Sequence, residues 1–399
     1  MDDHAGGLIR ARIEQELRQL SRQSQLRRLT ETVDRGAVAR VNLMSNDYLC
    51  LSRHPLLRQV LLDGIRNDEA VASTGSRLLS GNSKAWEELE NEFAAFAGAE
   101  AALFFNSGYA ANIGLLGSLL RPGDVVFSDS SNHASLIDGM RLSGAQKIIF
   151  PHLDLNALEE QLASAGGRGG RFIVVESVFS MEGDRAPLRE LAALAVRFGA
   201  ELIVDEAHAA GVFGPEGRGL AAEAGLSRTV LASIFPCGKA LATCGAFVAC
   251  SEMVKELLIN RARTFIFSTA LPPYIARQIH AAIAQARSAD AARLRLRELS
   301  RVLRAGLRDA GLDPGSSDSQ IVPVILGSNE AALDAADYLR QAGYLIRAIR
   351  PPSVPRGTAR LRISLNSDLP ADALERLPSV LSARLGAHSA QSCVGGSRL

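Results

Sequence analysis

The chain contains 399 residues, and its 44 lysines and arginines nearly balance its 43 aspartates and glutamates, giving a formal charge of +1. This balance argues against a protein that coats nucleic acid, because such proteins carry a strong basic excess. Hydrophobic residues make up 47% of the chain, which excludes a disordered protein, and the length predicts two or three domains. Five cysteines without CxxC spacing and the lack of a long apolar run predict a cytoplasmic protein with reduced thiols, no signal peptide and no membrane span.

The first two-thirds of the chain predict an α/β fold. Residues 8–30 have apolar side chains at helical spacing and predict an arginine-rich amphipathic helix. Short apolar runs then alternate with helical patterns at 84–97, 109–120, 154–165 and 187–199, which is typical of a mainly parallel sheet. The seven predicted strands are 101–105, 125–127, 147–150, 172–176, 202–205, 230–235 and 246–249.

The pattern changes after residue 270 and predicts a smaller α+β domain. A long helix is expected over 274–310, followed by strands at 320–326, 344–349 and 359–365 and by helices at 330–341 and 370–384. We therefore expect four segments: an N-terminal helix and arm (1–50), a large domain (51–285), a small domain (286–386) and a flexible tail (387–399).

The sequence DEAH at 205–208 directly follows the apolar run ELIV, and ligands of open α/β sheets bind at such strand ends. A nucleotide hydrolase could use these acids to hold Mg²⁺, but it also needs a GxxxxGK[ST] loop. The chain's one Gly-Lys pair, at 238–239, is followed by Ala240 and has no glycine five positions earlier, so this alternative fails. The other interpretation makes Asp205 the buried acid beside the pyridine nitrogen of pyridoxal 5′-phosphate (PLP), with His208 near the same ring. Taken alone, an aspartate at this position would more often be a helix cap.

PLP enzymes need a partly desolvated lysine that forms a Schiff base. The chain has only four lysines, and Lys84, Lys147 and Lys255 lie in patterns typical of solvated surface. Lys239 alone follows a predicted strand among small residues, so it is the candidate for the Schiff base.

Two further groups are candidates for cofactor contacts. Ser107-Gly108-Tyr109 follows a strand and opens a helix, where backbone N–H groups bind phosphate, although a simple turn is the alternative. His133 could stack on a planar ring or be a hydrogen-bonded structural residue.

Nine stretches occur in order between about residues 40 and 385: NLMSNDYLCLSRHP, STGSRLLSGN, FFNSGYAAN, DSSNHASLIDG, ESVFSMEGDRAPL, DEAHAAGVFG, GKALATCGA, FIFSTALPP and AIRPPSVPRGTARLRIS. Together they resemble the α-oxoamine synthases, PLP enzymes of fold type I that condense an amino acid with an acyl thioester. The last stretch is most similar to the biotin-pathway member that joins L-alanine to a pimeloyl thioester.

The resemblance implies roles for individual residues. Lys239 matches the Schiff-base lysine, Asp205 the partner of the pyridine nitrogen and His133 the ring-stacking histidine, while His208 and Ser180 match groups near the phenolic oxygen. The remaining matches concern the phosphate and the substrates: Ser107, Gly108 and Tyr109 in the phosphate loop, Ser268 and Thr269 reaching the neighbouring subunit's phosphate, Arg362 and Arg350 as candidates for the amino acid carboxylate, Asn46 near the site, and Arg27 on the acyl-thioester side. The shared phosphate implies a homodimer, and the sequence contains no motif for a metal.

Three residues depart from the family pattern. Trp86 stands where a histidine is usual, Pro236 replaces a threonine or serine that contacts phosphate, and Ala242 stands where glycine is common. The expected reaction is a decarboxylative condensation of a small amino acid with a thioester of coenzyme A or of a carrier protein. The alternatives are a relative that uses glycine or serine with another acyl donor, such as a 2-amino-3-ketobutyrate ligase or a serine palmitoyltransferase-like enzyme, and a noncatalytic subunit of the same fold.

Overall fold

The computed structural model describes residues 3–29, 41–67, 71–167 and 169–394. The strands are β1 Val41–Asn42, β2 Ala101–Phe105, β3 Val125–Asp129, β4 Gln146–Phe150, β5 Arg171–Glu176, β6 Glu201–Asp205, β7 Ala232–Pro236, β8 Ala246–Cys250, β9 Ile321–Gly327, β10 Tyr344–Leu345, β11 Arg347–Ile349 and β12 Ala359–Ser364. The helices are α1 Asp3–Arg22, α2 Pro55–Arg66, α3 Lys84–Ala97, α4 Gly108–Leu119, α5 Ala134–Ser143, α6 Leu155–Ser164, α7 Leu188–Phe198, α8 Leu220–Glu223, α9 Glu252–Arg261, α10 Arg263–Ile266, α11 Pro273–Arg287, α12 Asp290–Asp309, α13 Asn329–Gln341 and α14 Ala371–Val394.

A seven-stranded sheet forms the larger part of the molecule, in the order β2-β8-β7-β6-β5-β3-β4. Only β8 runs antiparallel to its neighbours in this sheet, and the other ladders are parallel. Both faces are buried, since Ile173 and Val175 belong to one apolar cluster and Val174 to the other. This explains why the strands are continuous apolar runs, and it confirms the predicted α/β fold with its mainly parallel seven-stranded sheet.

The C-terminal part contains a three-stranded antiparallel sheet in the order β11-β12-β9. The short strand β1 pairs in parallel with β10, so the segment after the N-terminal helix is attached to this part of the molecule. Helix α11 packs on α2 and α3, whereas α12 packs on α14 and β9. The predicted domain limits stay predictions. Helix α11 packs on the large sheet's side of the molecule and α12 packs on the C-terminal part, so the packing partners change between α11 and α12.

Two predicted elements of the C-terminal part are split in the structure. The long helix over 274–310 is interrupted at 288–289, because the buried Arg293 side chain donates to the carbonyl oxygens of Ala286 (2.5 Å) and Arg287 (3.0 Å) and so satisfies the end of α11. The strand over 344–349 becomes β10 and β11, which belong to different sheets, with the buried Ile346 between them.

Two predicted helix ends also differ. Helix α1 ends at Arg22 rather than near residue 30, because Ser24 adopts a left-handed conformation with φ 52°. Helix α14 continues past 384 to Val394, so the first part of the predicted flexible tail is helical. Residues 395–399 of that tail lie outside the described residues.

Among the described residues, no helix is both long enough and apolar enough to cross a membrane. The four cysteines whose side chains are described are free thiols, at positions 50, 237, 244 and 250.

Candidate active site

The carboxyl ends of β5 and β6 bring two acids together. Asp205 is 3% exposed and accepts hydrogen bonds from Asn112 Nδ2 (2.8 Å) and from the backbone N–H of Ala207 (2.9 Å). Glu176 pairs with Asp205 in the ladder between the two strands. Burial, and secondly the charge of Asp205, raise the pKa of Glu176 well above its usual range. The raised pKa favours the neutral form of Glu176 beside Asp205.

Lys239 lies in the turn that follows β7, and its amine points at the same strand ends. Its Nζ lies 3.0 Å from His208 Nε2. Burial lowers the pKa of the Lys239 amine to about 8, although Asp205 and Glu176 act in the opposite direction. Arg362 adds to the lowering. A buried lysine with this pKa has an appreciable neutral fraction near pH 7, which a nucleophile or base requires.

His208 links Lys239 to Tyr48. The Tyr48 hydroxyl lies 2.6 Å from His208 Nδ1 and donates to Asn46 Oδ1 at 3.1 Å. Burial, together with the charges of Lys239 and Arg362, lowers the pKa of His208 well below its usual range. A neutral ring can donate from Nδ1 to Tyr48 and accept from the Lys239 amine at Nε2, so His208 can orient that amine.

Arg362 on β12 reaches this group of residues from the C-terminal sheet. Its Nε donates to the carbonyl oxygen of Ser180 (2.6 Å), and its Nη1 donates to Asn46 Oδ1 (3.0 Å) and Ser364 Oγ (2.6 Å). These three acceptors are neutral, so the hydrogen bonds fix the guanidinium in place without neutralising its charge. A buried arginine held in this way is suited to binding a carboxylate.

His133 is the N-cap residue of α5 and connects to Asp205 through two side chains. Its Nδ1 accepts from the backbone N–H of Ser135 (3.2 Å) and lies 2.7 Å from Ser135 Oγ. Asn112 Nδ2 contacts both Ser135 Oγ and Asp205 Oδ2, each at 2.8 Å. The exposed imidazole of His133 is thereby held next to the buried carboxylate.

The predicted phosphate loop forms the start of α4. Ser107 caps this helix by accepting from the backbone N–H of Ala110 (3.1 Å), and the Tyr109 hydroxyl donates to Asp138. A methyl group at Gly108 would lie 2.7 Å from Pro236 Cγ, so glycine is required at this close approach. Pro236, one of the three departures from the family pattern, therefore packs directly against the loop.

The remaining candidates lie at two other places. Thr269 accepts at its carbonyl oxygen from Asn106 Nδ2 (2.6 Å), next to the phosphate loop, and Ser268 precedes it. Arg27 Nη2 donates to the carbonyl oxygen of Pro351 (3.3 Å), and Arg350 donates to that of Ser24. Arg27 and Arg350 thus form a second cationic cluster, held by hydrogen bonds to backbone carbonyl oxygens.

Trp86 and Ala242 are the other two departures from the family pattern, and the structure shows what each residue contacts or which conformation it adopts. Trp86 is fully buried and stacks on Phe104 with ring centroids 4.5 Å apart, so it is a core residue. Ala242 follows the Lys239 turn with φ 49°, a left-handed conformation that glycine adopts without cost.

Several residues of the site were not found from the sequence: Tyr48, Asn112, Ser135, Gln320 and Ser364. Tyr48 lies within the stretch NLMSNDYLCLSRHP, and Asn112 lies within FFNSGYAAN but inside a helix rather than at a strand end. The spacing of these residues in the sequence does not predict their contacts, because the hydrogen bonds of Tyr48 with His208 and of Asn112 with Asp205 join segments far apart in the chain.

Comparisons with known proteins show the family of the chain. Residues 39–381 match the model of the family described as aminotransferase class I and II. The chain is 45% identical over 348 residues to an 8-amino-7-oxononanoate synthase from Geobacter sulfurreducens, covering 87% of this chain and 88% of that relative.

Two solved structures are similar along most of their length. A serine palmitoyltransferase from Sphingomonas wittichii has 31% identity and a TM-score of 0.83, with 88% of each chain covered. An 8-amino-7-oxononanoate synthase from Francisella tularensis has 28% identity and a TM-score of 0.76, with 88% of this chain and 99% of that chain covered. The chain therefore belongs to the aminotransferase class I and II family, together with the 8-amino-7-oxononanoate synthases.

Proposed function

We propose that the protein is a PLP-dependent acyltransferase that condenses L-alanine with a pimeloyl thioester and releases CO₂ and the thiol, giving 8-amino-7-oxononanoate. The name and 45% identity of the Geobacter relative support this reaction. The observation that carries it is the Lys239 amine, which lies 3.0 Å from His208 Nε2 and whose pKa burial lowers to about 8, with Asp205 and Arg362 acting on it in opposite directions.

The residues at the strand ends fit PLP. Asp205 offers a fixed negative charge for a protonated ring nitrogen, and Lys239 offers an amine of lowered pKa for the aldehyde. Asn112 Oδ1 and Glu176 Oε1 are buried without a hydrogen-bond partner among the described residues, which leaves polar atoms for a bound group. The phosphate would be held at the start of α4 by Ser107, Gly108 and Tyr109.

PLP, when bound, supplies an electron sink for negative charge at the α carbon of an attached amino acid. Lys239 takes the α proton at Nζ and later returns it, since its lowered pKa matches proton transfer near neutral pH. His208, held by Tyr48, orients the amine for both transfers. His133 and Ser180 border the place where the ring would lie.

Arg362 fixes the carboxylate of the amino acid, because its guanidinium is buried and its hydrogen bonds go to neutral acceptors. Asn46 helps to hold the guanidinium, because its Oδ1 accepts a hydrogen bond from Arg362 Nη1.

Arg27 and Arg350 bind the acyl thioester, whose carboxylate or phosphate groups would compensate the charges of these two neighbouring cations. Burial lowers the pKa of Arg350 and the charge of Arg27 lowers it further, so an anion would be stabilised there.

The active enzyme is proposed to be a homodimer, in which Ser268 and Thr269 of each chain reach the phosphate site of the other. The stretch FIFSTALPP, which resembles the segment that makes this contact in the α-oxoamine synthases, supports this. Size-exclusion chromatography with light scattering would detect the dimer, and a monomer with full activity would contradict it.

The substrates are tested by offering the purified holoenzyme alanine, glycine or serine, each with pimeloyl, acetyl and long-chain thioesters of coenzyme A and of acyl carrier protein. We expect the alanine and pimeloyl pair to give the highest kcat/KM. Lys239→Ala should abolish turnover, whereas Lys84→Ala, at a lysine whose side chain is 86% exposed, should leave it unchanged. Equal loss in both variants, or turnover in Lys239→Ala, would contradict the assignment.

The second candidate is a serine palmitoyltransferase-like activity. The similarity to the Sphingomonas structure, with a TM-score of 0.83, favours it as the alternative. A preference for serine with long-chain thioesters in the same assay would establish it and exclude the alanine reaction as the main one. A protein that binds PLP but turns over none of the pairs would be the noncatalytic alternative.

A further inference from the structure

A cavity of about 480 Å³ lies between the seven-stranded part of the molecule and helix α12. One wall comes from the segment after β6 and includes Val212 and Phe213, and the facing wall comes from α12 and includes Leu296. Its other lining residues are polar or charged: Arg185, Glu223, Arg297, Ser300, Arg301, Arg304, Asp318, Ser319 and Gln320. We call this cavity the arginine cleft.

The cleft has an excess of positive charge. Of its four arginines, Arg185 pairs with both acids of the lining, at 2.5 Å from Asp318 and 3.9 Å from Glu223. Arg301 pairs with Glu298 on its own helix at 2.6 Å. Arg304 donates only to neutral oxygens of Ser300 and Ser319 in the described structure.

Arg304 is half-buried, and its surroundings disfavour its charge. Burial lowers its pKa and the charges of Arg308 and Arg185 add to the effect, while Asp318 opposes it. Arg297 lies about two turns earlier on α12, and it makes no ion pair with any described residue. An oxyanion between Arg297 and Arg304 would compensate both guanidinium groups.

The opposite side of the cleft is suited to an apolar group. The Arg185 guanidinium lies over the Phe213 ring, 5.6 Å from its centroid, and holds it in place. Val212 lies next to it in the same wall, and Leu296 is the apolar residue of the facing wall. A ligand with an oxyanion at one end and an apolar portion at the other would match the two sides of the cleft.

One polar side chain of the lining points to a ligand independently of the arginines. Gln320 is 2% exposed, and its Oε1 has no hydrogen-bond partner among the described residues. Its Nε2 donates to the carbonyl oxygen of His208 at 2.8 Å. Gln320 therefore joins the cleft to the residue that orients Lys239.

We propose that the arginine cleft binds a small organic oxyanion, a carboxylate or a phosphate monoester with an apolar portion, at a site separate from the proposed catalytic centre. The oxyanion contacts Arg297 and Arg304, and the apolar portion packs on Phe213. The bound ligand bridges α12 and the segment after β6, and it lies next to the Gln320 contact with His208.

The test is isothermal titration calorimetry on the holoenzyme with saturating L-alanine, so that PLP and the amino acid occupy the catalytic centre. The probes are phenyl phosphate and phenylacetate, with inorganic phosphate to separate the contribution of the oxyanion and benzyl alcohol to separate that of the ring. We expect saturable binding of at least one aromatic anion, weaker binding of inorganic phosphate and none of benzyl alcohol.

Arg297→Gln and Arg304→Gln should each weaken the binding by about tenfold, as expected for the loss of a charge-assisted contact. Arg308→Gln is the matched control, because Arg308 lies one turn beyond Arg304 on α12, is exposed and does not line the cleft. Arg297 is exposed, so Arg297→Gln also tests the site without affecting buried contacts.

The proposal is overturned if no aromatic anion binds saturably, or if Arg308→Gln weakens binding as much as the two cleft variants. It is also overturned if Arg297→Gln and Arg304→Gln leave the affinity unchanged, since the anion would then bind elsewhere. Because binding is measured directly, the outcome does not depend on which acyl donor the enzyme uses.

Discussion

The pKa of Lys239 predicts how fast the apoenzyme attaches PLP at each pH. Only the neutral amine attacks an aldehyde, and burial lowers the pKa of this amine to about 8. At pH 7 roughly one amine in ten is then neutral, compared with roughly three in ten thousand at an ordinary lysine pKa near 10.5, a difference of about 300-fold. The attachment rate should rise about tenfold per pH unit up to pH about 8 and then level off.

Stopped-flow absorbance with purified apoenzyme measures this rate, and Nα-acetyllysine over the same pH range corrects for the ionisation of PLP itself. Two variants test the electrostatic cause. Asp205 raises the pKa of Lys239 and Arg362 lowers it, so Asp205→Asn should move the plateau to lower pH and Arg362→Gln to higher pH. A rate that keeps rising to pH 10, or two variants that shift the plateau in the same direction, would refute the reasoning.

Three further predictions concern single side chains. Glu176→Gln should keep most of the activity in steady-state assays, because burial and Asp205 hold the carboxyl of Glu176 in its neutral form, and a loss like that of Asp205→Asn would contradict this. Ala242→Gly should raise the free energy of unfolding in urea by about 1 kcal/mol, because φ is 49°, whereas Ala240→Gly, in the buried part of the same turn, should lower it. His152 bridges Asp129 (2.9 Å) and Asp184 (3.1 Å), which raise its pKa to about 10 against the effect of burial. A raised pKa contributes stability that is complete below pH about 6.5 and is lost as pH rises towards 10. His152→Gln should therefore lower the free energy of unfolding by about 3 kcal/mol at pH 6 and by clearly less at pH 10. An equal decrease at both pH values would count against the ion pair.

The sheet could be predicted from the sequence because its strands are short, apolar and separated by helices. The run at 202–205 is one example: it becomes β6, buried on both faces, with Asp205 at its end. The same logic selected Lys239, but its expectation of a solvated Lys255 was wrong, because that side chain is only 15% exposed and lies 3.5 Å from the buried Glu90 carboxylate. These inferences need only the local pattern and the rule that ligands bind at strand ends.

The contacts around these residues could not be predicted, because they join distant segments. Tyr48 and His208 are separated by 160 positions, and Gln320 and His208 by 112. The break between α11 and α12 was missed for the same reason: Arg293 looks like a helical surface residue in the sequence, but it is buried and caps the preceding helix. Periodicity reports which face of a helix is apolar, and it does not report which polar side chain will be buried by another segment.

The most direct test of the proposed reaction follows the carboxyl carbon of the amino acid. Alanine with a heavy-carbon label in its carboxyl group is incubated with pimeloyl thioester and the holoenzyme, and both CO₂ and the organic product are analysed by mass spectrometry. The decarboxylative condensation predicts that the label appears entirely in CO₂ and that 8-amino-7-oxononanoate forms without it. A product that retains the label, or labelled CO₂ released at the same rate without the thioester, would contradict the proposed function.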